Sequence, residues 1–294
     1  MTRAGFVALV GRPNAGKSTL LNRIVGEQLA ITSPKPQSTR QRTVGILSDE
    51  STQMVFLDTP GLLDPGDALD TAMLGDAQRA LSEADVIAHL VDGREPLPAS
   101  VWDEAGWTRA VPATPVILVR TKGDLLSRAA RAAVIAADPA AVIASARTGT
   151  GVAEVVARLR AALPESPFLY PPDDVSTQSL RFFAGEFVRE AALEELGDEI
   201  PHALACVVEE FRESRTPVYI RAVLYVERES QKRIVVGARG ERIGAIGRRS
   251  RERIEMLIGR QVYLDLWVKV LRNWRRNPAA LRRLGFEGEG TATA

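Results

Sequence analysis

The chain has 294 residues, of which 45% are hydrophobic and 26% charged, with a formal net charge of +1. That length suits about two domains of ~150 residues, and no tract approaches the ~20 consecutive apolar residues of a membrane-spanning helix. The single cysteine, Cys206, excludes an internal disulfide framework and, lying in "ALACVV", is expected to be a small core residue in a reducing cytosol. The opening "MTRAGFVALVG" runs straight into a strand and leaves no room for a signal peptide, so a cytoplasmic location is expected.

The first element is the buried strand "FVALVG". It is followed by "GRPNAGKS", Gly11 to Ser18, and by "TLLNRIVG", which has the apolar spacing of a helix. Strand, glycine-rich turn and helix together make a phosphate-binding loop, whose backbone N–H groups turn toward a phosphate at the helix's positive end. The cradle residues are Gly11, Asn14, Ala15, Gly16, Lys17, Ser18 and Thr19. Lys17 is expected to reach the β- and γ-phosphates, and the Ser18 hydroxyl to hold Mg²⁺. A plain glycine turn with a surface lysine is the competing reading, and the flanking strand and helix argue against it. The motif specifies a nucleoside triphosphate without choosing its base.

Further strand-like runs at "QMVFLDTPG", "DVIAHLVDG", "TPVILVRTKGD" and "AAVIASA" alternate with helical segments. This predicts an α/β domain with a mainly parallel sheet and a ligand site at the carboxyl ends of its strands. Asp58 in "FLDTPG" is placed to bind Mg²⁺ through water, and the Gly61 N–H to sense the γ-phosphate. Thr121, Lys122 and Asp124 end the next central strand. A carboxylate there can accept the ring N–H and exocyclic amine of guanine, whereas adenine would leave it unpaired. Ser145 and Ala146, in "SARTG", supply the last loop, the Ala146 N–H facing the guanine carbonyl. GTP or GDP is therefore the expected nucleotide.

Residues 1–164, with these motifs in this order, resemble the GTPase domain of the TrmE–Era branch of translation-factor-related GTPases. "ITSPKPQSTRQRTVGI", Ile31 to Ile46, is similar to the switch segment of the Era family. The resemblance makes Thr39 the switch threonine that closes over Mg²⁺ in the GTP state, with Thr43 the substitute. It also departs from the family in having Thr121 where an asparagine is usual. A water-orienting glutamine often follows the Asp-x-x-Gly motif; here that position is Leu62, which cannot hydrogen-bond water. In some relatives a loop asparagine holds a potassium ion in place of an arginine finger, and Asn14 is the matching residue. A loop-stabilising hydrogen bond is its other role. The expectation is slow intrinsic hydrolysis, accelerated by potassium or by a partner, with Lys17, Thr39, Gly61 and Asn14 as the catalytic set.

The stretch "LPESPFLYPPDDVSTQS" has four prolines and no helical period, and residues 165–180 read as a linker. Then come a helix "LRFFAGEFVREAALEEL", two strands "ALACVVEEF" and "TPVYIRAVLYVE", a basic glycine-punctuated segment, a strand "QVYLDLWVKV" and a closing "NPAALRRLGF". Residues 287–294 are expected to be disordered. Charge is distributed unevenly in this half. Residues 186–213 hold nine Asp/Glu against two Arg, and residues 228–283 hold sixteen Lys/Arg against five Asp/Glu, an excess of +11. So large a local excess is either a solvated basic face or a nucleic-acid footprint.

Within it, Gly237-Ala238-Arg239-Gly240 precedes an amphipathic helix and resembles the Gly-x-x-Gly loop of a KH domain, of type II by element order. Glycines there let backbone N–H groups approach RNA phosphates. "RIVVG" is a strand by propensity, but the resemblance makes it a helix. Phosphate contacts are expected from Arg239 and the Gly237 and Gly240 backbone, base contacts from Ile243 and Ile246 unless these are core, and positioning charge from Lys232, Arg233, Arg242, Arg248 and Arg249. Trp267 and Trp274 could stack on bases, although Trp267, lying in a strand, is expected in the core. The fold expected for residues 181–286 is an α+β KH domain.

Taken with the family, this implies a monomeric GTP switch that binds 16S ribosomal RNA near its 3′ end and assists assembly of the 30S subunit. Some members associate peripherally with the membrane's inner face. The alternative is an RNA-binding assembly chaperone for which GTP is a structural or release signal. Lys17, Ser18 and Asp58 argue against a merely structural pocket, and the basic half argues against a nucleoside kinase.

Overall fold

The structure, a computed structural model, describes residues 1–286 except 34, 36, 99, 198, 199, 201 and 202. The chain divides into two compact units. The first comprises residues 1–30, 39–66 and 70–177, and the second 31–38, 67–69 and the chain from 178 onward. Two parts of this division differ from the expected boundaries. Linker residues up to 177 pack with the first unit, and residues 31–38, midway through the GTPase motifs, pack with the second. The expected tail at 287–294 lies outside the described residues.

In the first unit, β1 (Arg3–Val10), β3 (Thr52–Asp58), β4 (Val86–Asp92), β5 (Val116–Thr121) and the short β6 (Val142–Ile143) run parallel, and β2 (Thr43–Ser48) pairs antiparallel with β3. The order is β2-β3-β1-β4-β5-β6. All seven residues of both β3 and β4 are buried, as expected for strands covered on both faces. Strand alternation splits β1 between two cores. Val7 and Leu9 join Leu20 and Leu21 of α1 (Lys17–Val25) and Val155 and Leu159 of α5 (Val152–Ala162). Ala8 and Val10 join Ala77 and Leu81 of α2 (Ala68–Glu83) and Trp102 of α3 (Val101–Glu104). β1 lies between β3 on one side and β4 on the other, so the strand order reverses there and the end of β1 opens into the crevice where such sheets bind ligands.

In the second unit, β7 (Ala205–Arg212), β8 (Val218–Val226) and β9 (Val262–Val270) form a sheet, antiparallel at β7–β8 and parallel at β8–β9. The helices α6 (Leu180–Glu195), α7 (Glu229–Val236) and α8 (Glu241–Ile258) pack on it, and α9 (Pro278–Arg283) starts at Asn277, whose side chain accepts from the Ala279 and Ala280 N–H groups. "RIVVG" lies in α7 despite its β-branched residues. Gln231 Oε1 accepts the Glu227 and Arg228 N–H groups, closing the helix start, and Val235 is fully buried.

Two aromatic expectations are reversed. Trp267 is 53% exposed rather than core. Trp274 is fully buried, donates through Nε1 to the Ala203 carbonyl at 3.1 Å and stacks on Phe286, so it cannot meet a base.

The linker owes its place to Gln53, which is fully buried. Its Oε1 accepts from the N–H groups of Leu169 (2.7 Å) and Tyr170 (2.9 Å), and its Nε2 donates to the Tyr170 carbonyl at 2.9 Å and Ser48 Oγ at 3.1 Å. Downstream, the Ile46 N–H donates to the Val175 carbonyl and Ser176 Oγ to that of Val44. Gln53→Leu strips partners from buried groups at a cost of about 2 kcal/mol, and the first unit's melting temperature is expected to fall by about 4–8 °C in calorimetry. An unchanged melting temperature would contradict this role for Gln53.

Candidate nucleotide site and RNA-binding loop

The loop from Gly11 to Gly16 joins β1 to α1. At Gly11 (φ +147°) a side-chain carbon would sit 2.1 Å from the Leu90 carbonyl oxygen, so only glycine fits. Gly16 takes a left-handed conformation at the start of α1, and no side chain caps that helix end, which leaves it for an anion. Asn14 on the outer rim is also left-handed, at φ 61°.

Lys17 is buried, and its ammonium donates to the Gly11 and Arg12 carbonyls, 3.0 Å each, at the mouth of the loop. Burial pushes its pKa down to about 8, against the pull of Asp58. Ser18 Oγ lies 2.7 Å from both Asp58 Oδ2 and Thr39 Oγ1, and Thr39 Oγ1 lies 3.2 Å from the same carboxylate oxygen. Burial raises Asp58 to about 6, opposed by Lys17 and the two hydroxyls. Its other oxygen, Oδ1, is buried with no hydrogen-bond partner among the described residues. Two hydroxyls beside a carboxylate with one orphaned oxygen fit Mg²⁺, which takes few protein oxygens and completes its octahedron with water and phosphate. Ser18, Thr39 and Asp58 are the residues that would hold it, and its chemistry there would be to offset charge on the phosphate oxygens.

The loop after β3 lies directly on the phosphate loop. A side-chain carbon on Gly61 would come within 2.6 Å of the Pro13 nitrogen. The Leu62 N–H donates to the Gly11 carbonyl at 3.0 Å and Thr59 Oγ1 to that of Leu9 at 2.8 Å. The Leu62 side chain is withdrawn into the core among Val10, Leu57 and Ala77, so it has no part in positioning water.

At the base-reading end, Thr121 Oγ1 donates to the Ala15 carbonyl at 2.7 Å and ties β5 to the phosphate loop. Lys122 is left-handed (φ 55°) and pairs with Asp92 at 3.0 Å. Asp124 accepts from Ser145 Oγ at 2.6 Å and pairs with Arg147 at 2.7 Å, a bridge whose arginine is 75% exposed. Ser145 first, with Arg147 also contributing, holds the Asp124 carboxyl below its usual range. Ala146 is partly buried beside them.

Several participants escape motif reading. Arg147 pairs with Asp124, the carboxylate expected to read guanine, and its only signal is its place in "SARTG". Asp92 is held well below the usual carboxylate range, chiefly by Arg94. Below the loop, Glu104 bridges His89 Nε2 (2.7 Å) and Arg12 Nε (2.8 Å); burial lowers the pKa of His89.

In the second unit, Gly237 to Gly240 turn between α7 and α8. Gly237 (φ 73°) has no room for a side chain, which would meet the Arg242 nitrogen at 2.9 Å, and Arg239 and Gly240 are left-handed at φ 53° and 82°. Ala238, Arg239, Arg233 and Arg242 are exposed, Lys232 partly so. Ile243 is half-buried at the rim, whereas Ile246 is fully buried and cannot reach a base. Of the positioning arginines, Arg248 is exposed, while Arg249 pairs with Glu194. Arg253 pairs with Glu190 (2.6 Å) and Glu194 (2.9 Å), so α6 offsets part of the basic excess.

Comparison with known proteins agrees with both halves. Residues 6–122 match a family model described as a 50S ribosome-binding GTPase, and residues 199–275 match one for the KH domain. GTPase Era of Carboxydothermus hydrogenoformans is 42% identical over 97% of this chain and 98% of its own. That of Heliobacterium modesticaldum is 36% identical over 97% of each. The chain belongs to the Era family of GTPases. Among solved structures, an Aquifex aeolicus Era variant bound to GDP·AlF4⁻ matches with a TM-score of 0.89 at 35% identity, covering 97% of this chain and 99% of that one. An Era bound to MgGDPNP and nucleotides 1506–1542 of 16S ribosomal RNA matches with a TM-score of 0.90, also at 35% identity, over the same shares.

For an Era-family member, the base pocket makes a sharp test. Asp124→Asn would take away the two charge-assisted hydrogen bonds expected with guanine, so affinity for GDP is expected to fall by about two orders of magnitude or more, while xanthosine diphosphate, which offers a carbonyl to the new amide, is expected to bind better. Calorimetric titration with both nucleotides reads this out. An unaltered GDP affinity would remove Asp124 from base recognition.

Proposed function

We propose that this protein is a GTP-driven switch that binds small-subunit ribosomal RNA near its 3′ end and assists assembly of the 30S subunit in the cytoplasm. One observation carries the switch. Thr39, hydrogen-bonded to Ser18 and Asp58 at the metal position, is the next residue after a segment that packs with the second unit. In that segment the Thr32 N–H donates to Glu190 at 3.3 Å, Lys35 donates to the Leu193 and Gly197 carbonyls, and Arg189 donates to the Ser38 carbonyl. Movement of Thr39 with loss of the γ-phosphate would therefore pull on residues held by α6. This is an order–disorder switch of the kind GTPases use, acting through the segment itself in addition to the linker.

In the proposed site, the residues from Gly11 to Thr19 wrap the phosphates, Lys17 neutralises β- and γ-oxygens, and Ser18, Thr39 and Asp58 hold Mg²⁺. Gly61 senses the γ-phosphate, and Thr121, Lys122, Asp124, Ser145 and Ala146 hold guanine. Because Leu62 cannot orient water, intrinsic hydrolysis is slow, and Asn14 holds a potassium ion that stands in for an arginine finger. RNA phosphates meet Gly237–Gly240 and Arg239, with Lys232, Arg233 and Arg242 around them and Ile243 beside the bases. The Era complex with 16S ribosomal RNA supports this target. The chain works as a monomer, and its basic segment, which peripheral contact with anionic lipid would also use, is committed to RNA.

Two measurements test the reading. RNA bound by the full chain is sequenced in GDP and in a non-hydrolysable GTP analogue, and small-subunit 3′ ends are expected to be enriched with the analogue. Equal enrichment in both states would contradict the switch, and no enrichment the target. GTP turnover is expected to be faster in potassium than in sodium, a difference that Asn14→Ala abolishes. Equal rates in the two salts would overturn the role of Asn14.

A further inference from the structure

The outer face of the β7–β8–β9 sheet carries a cluster that neither the nucleotide site nor the Gly-x-x-Gly loop uses. Alternation along β8 buries Val218, Ile220, Ala222 and Leu224 under the helices, so Tyr219, Arg221, Val223 and Tyr225 point the other way; of these Val223 and Tyr225 are themselves buried, and only Tyr219 and Arg221 are partly open. On β9, Val262 and Val268 are buried, while Tyr263 is 59% exposed and Trp267 53% exposed. Register sets Tyr219 beside Tyr263, Arg221 beside Asp265 and Val223 beside Trp267. The rings of Tyr219 and Tyr263 stack with centroids 5.9 Å apart and planes 12° apart.

These side chains are held in place. Asp265 accepts from Tyr219 OH (2.8 Å), Arg221 Nε (3.0 Å) and Trp267 Nε1 (2.7 Å). The guanidinium groups of Arg212, Arg215 and Arg221 lie 5.4, 5.7 and 5.8 Å from the centre of the Tyr219 ring. Acids and cations of this face largely pair with one another, Glu209 with Lys269, Glu210 with Arg212 and Arg221, and Asp265 with Arg221.

We propose that Trp267 and Tyr219, both held by Asp265, and Tyr263, stacked on Tyr219, form a second RNA site that stacks unpaired bases beside Arg215. The proposal rests on the RNA reading above and adds a surface to it. Two rings more than half exposed offer flat π-faces to any base, and Arg215, which is exposed and in no ion pair among the described residues, can meet a phosphate beside them, the combination by which single strands are bound without sequence readout. β9 is the edge strand, with α7 and α8 packed on its inner side and the rings on its outer side.

The test uses the full chain with Mg²⁺ and a GTP analogue, and single-stranded RNA of the 16S 3′ end carrying 4-thiouridine. Photo-cross-links are expected on peptides of both Gly237–Gly240 and β9. Tyr263→Ser combined with Trp267→Ser, both at exposed positions, is expected to weaken binding of this RNA at least about tenfold through lost stacking. Trp267→Phe is expected to retain affinity, and a short oligonucleotide that fills only the Gly-x-x-Gly groove to bind the double variant unchanged. Unchanged affinity of the long RNA, with cross-links at Gly237–Gly240 alone, overturns the second site and leaves the first standing. Absence of RNA binding by the unaltered chain overturns both. A double variant that changes only the sedimentation of the protein shows that the face pairs two copies, and overturns the proposal too.

Discussion

Lys17 and Asp58 are opposite charges buried at the end of a parallel sheet, and much of the first unit serves to keep them there. Burial moves each toward neutrality, Lys17 down to about 8 and Asp58 up to about 6. For Asp58, a folded pKa above the unfolded value means that stability is lost as pH rises from about 4 through about 6. For Lys17, a folded value below the unfolded one means that stability returns as pH rises from about 8 toward about 10. Between these windows both groups are charged, and their burial costs most near neutral pH. A triphosphate meets the lysine and a divalent cation meets the orphaned Asp58 oxygen, so ligand binding offsets what burial costs.

The second unit has its own electrostatic constraint. Glu190 is almost wholly buried, and burial raises its pKa against the pull of Arg253. The same carboxylate accepts the Thr32 N–H. One side chain of α6 thus joins the basic helix α8 to the segment that precedes Thr39. The acidic stretch and the basic stretch are two sides of one packed helix pair. Around the Gly-x-x-Gly turn, Arg233, Arg239, Arg242 and Arg248 remain exposed.

The parallel sheet and the phosphate loop were legible because they depend on short-range rules: fully apolar strands, glycines at special backbone angles, and a helix start. The assignment of residues 31–38 to the second unit was not, since nothing local in "ITSPKPQS" names a partner more than a hundred residues away. Arg147 is adjacent to a recognised motif, but only the fold brings it to Asp124. Trp267 was misplaced although a signal existed. In "VYLDLWVKV" the alternate set Tyr263, Asp265, Trp267 and Lys269 includes two charges, which marks the wet face of the strand. Ile243 and Ile246 share a helix face by spacing, and only packing separates a rim residue from a core one.

The central claim is that ordering at the metal position reaches α6 through the segment joined to Thr39. Hydrogen exchange of the full chain, followed by mass spectrometry in GDP and in a GTP analogue, tests it most directly. The account predicts that peptides covering Ile31–Thr39 and Leu180–Glu195 gain protection together in the analogue. Protection of Thr39 with α6 unchanged would contradict it.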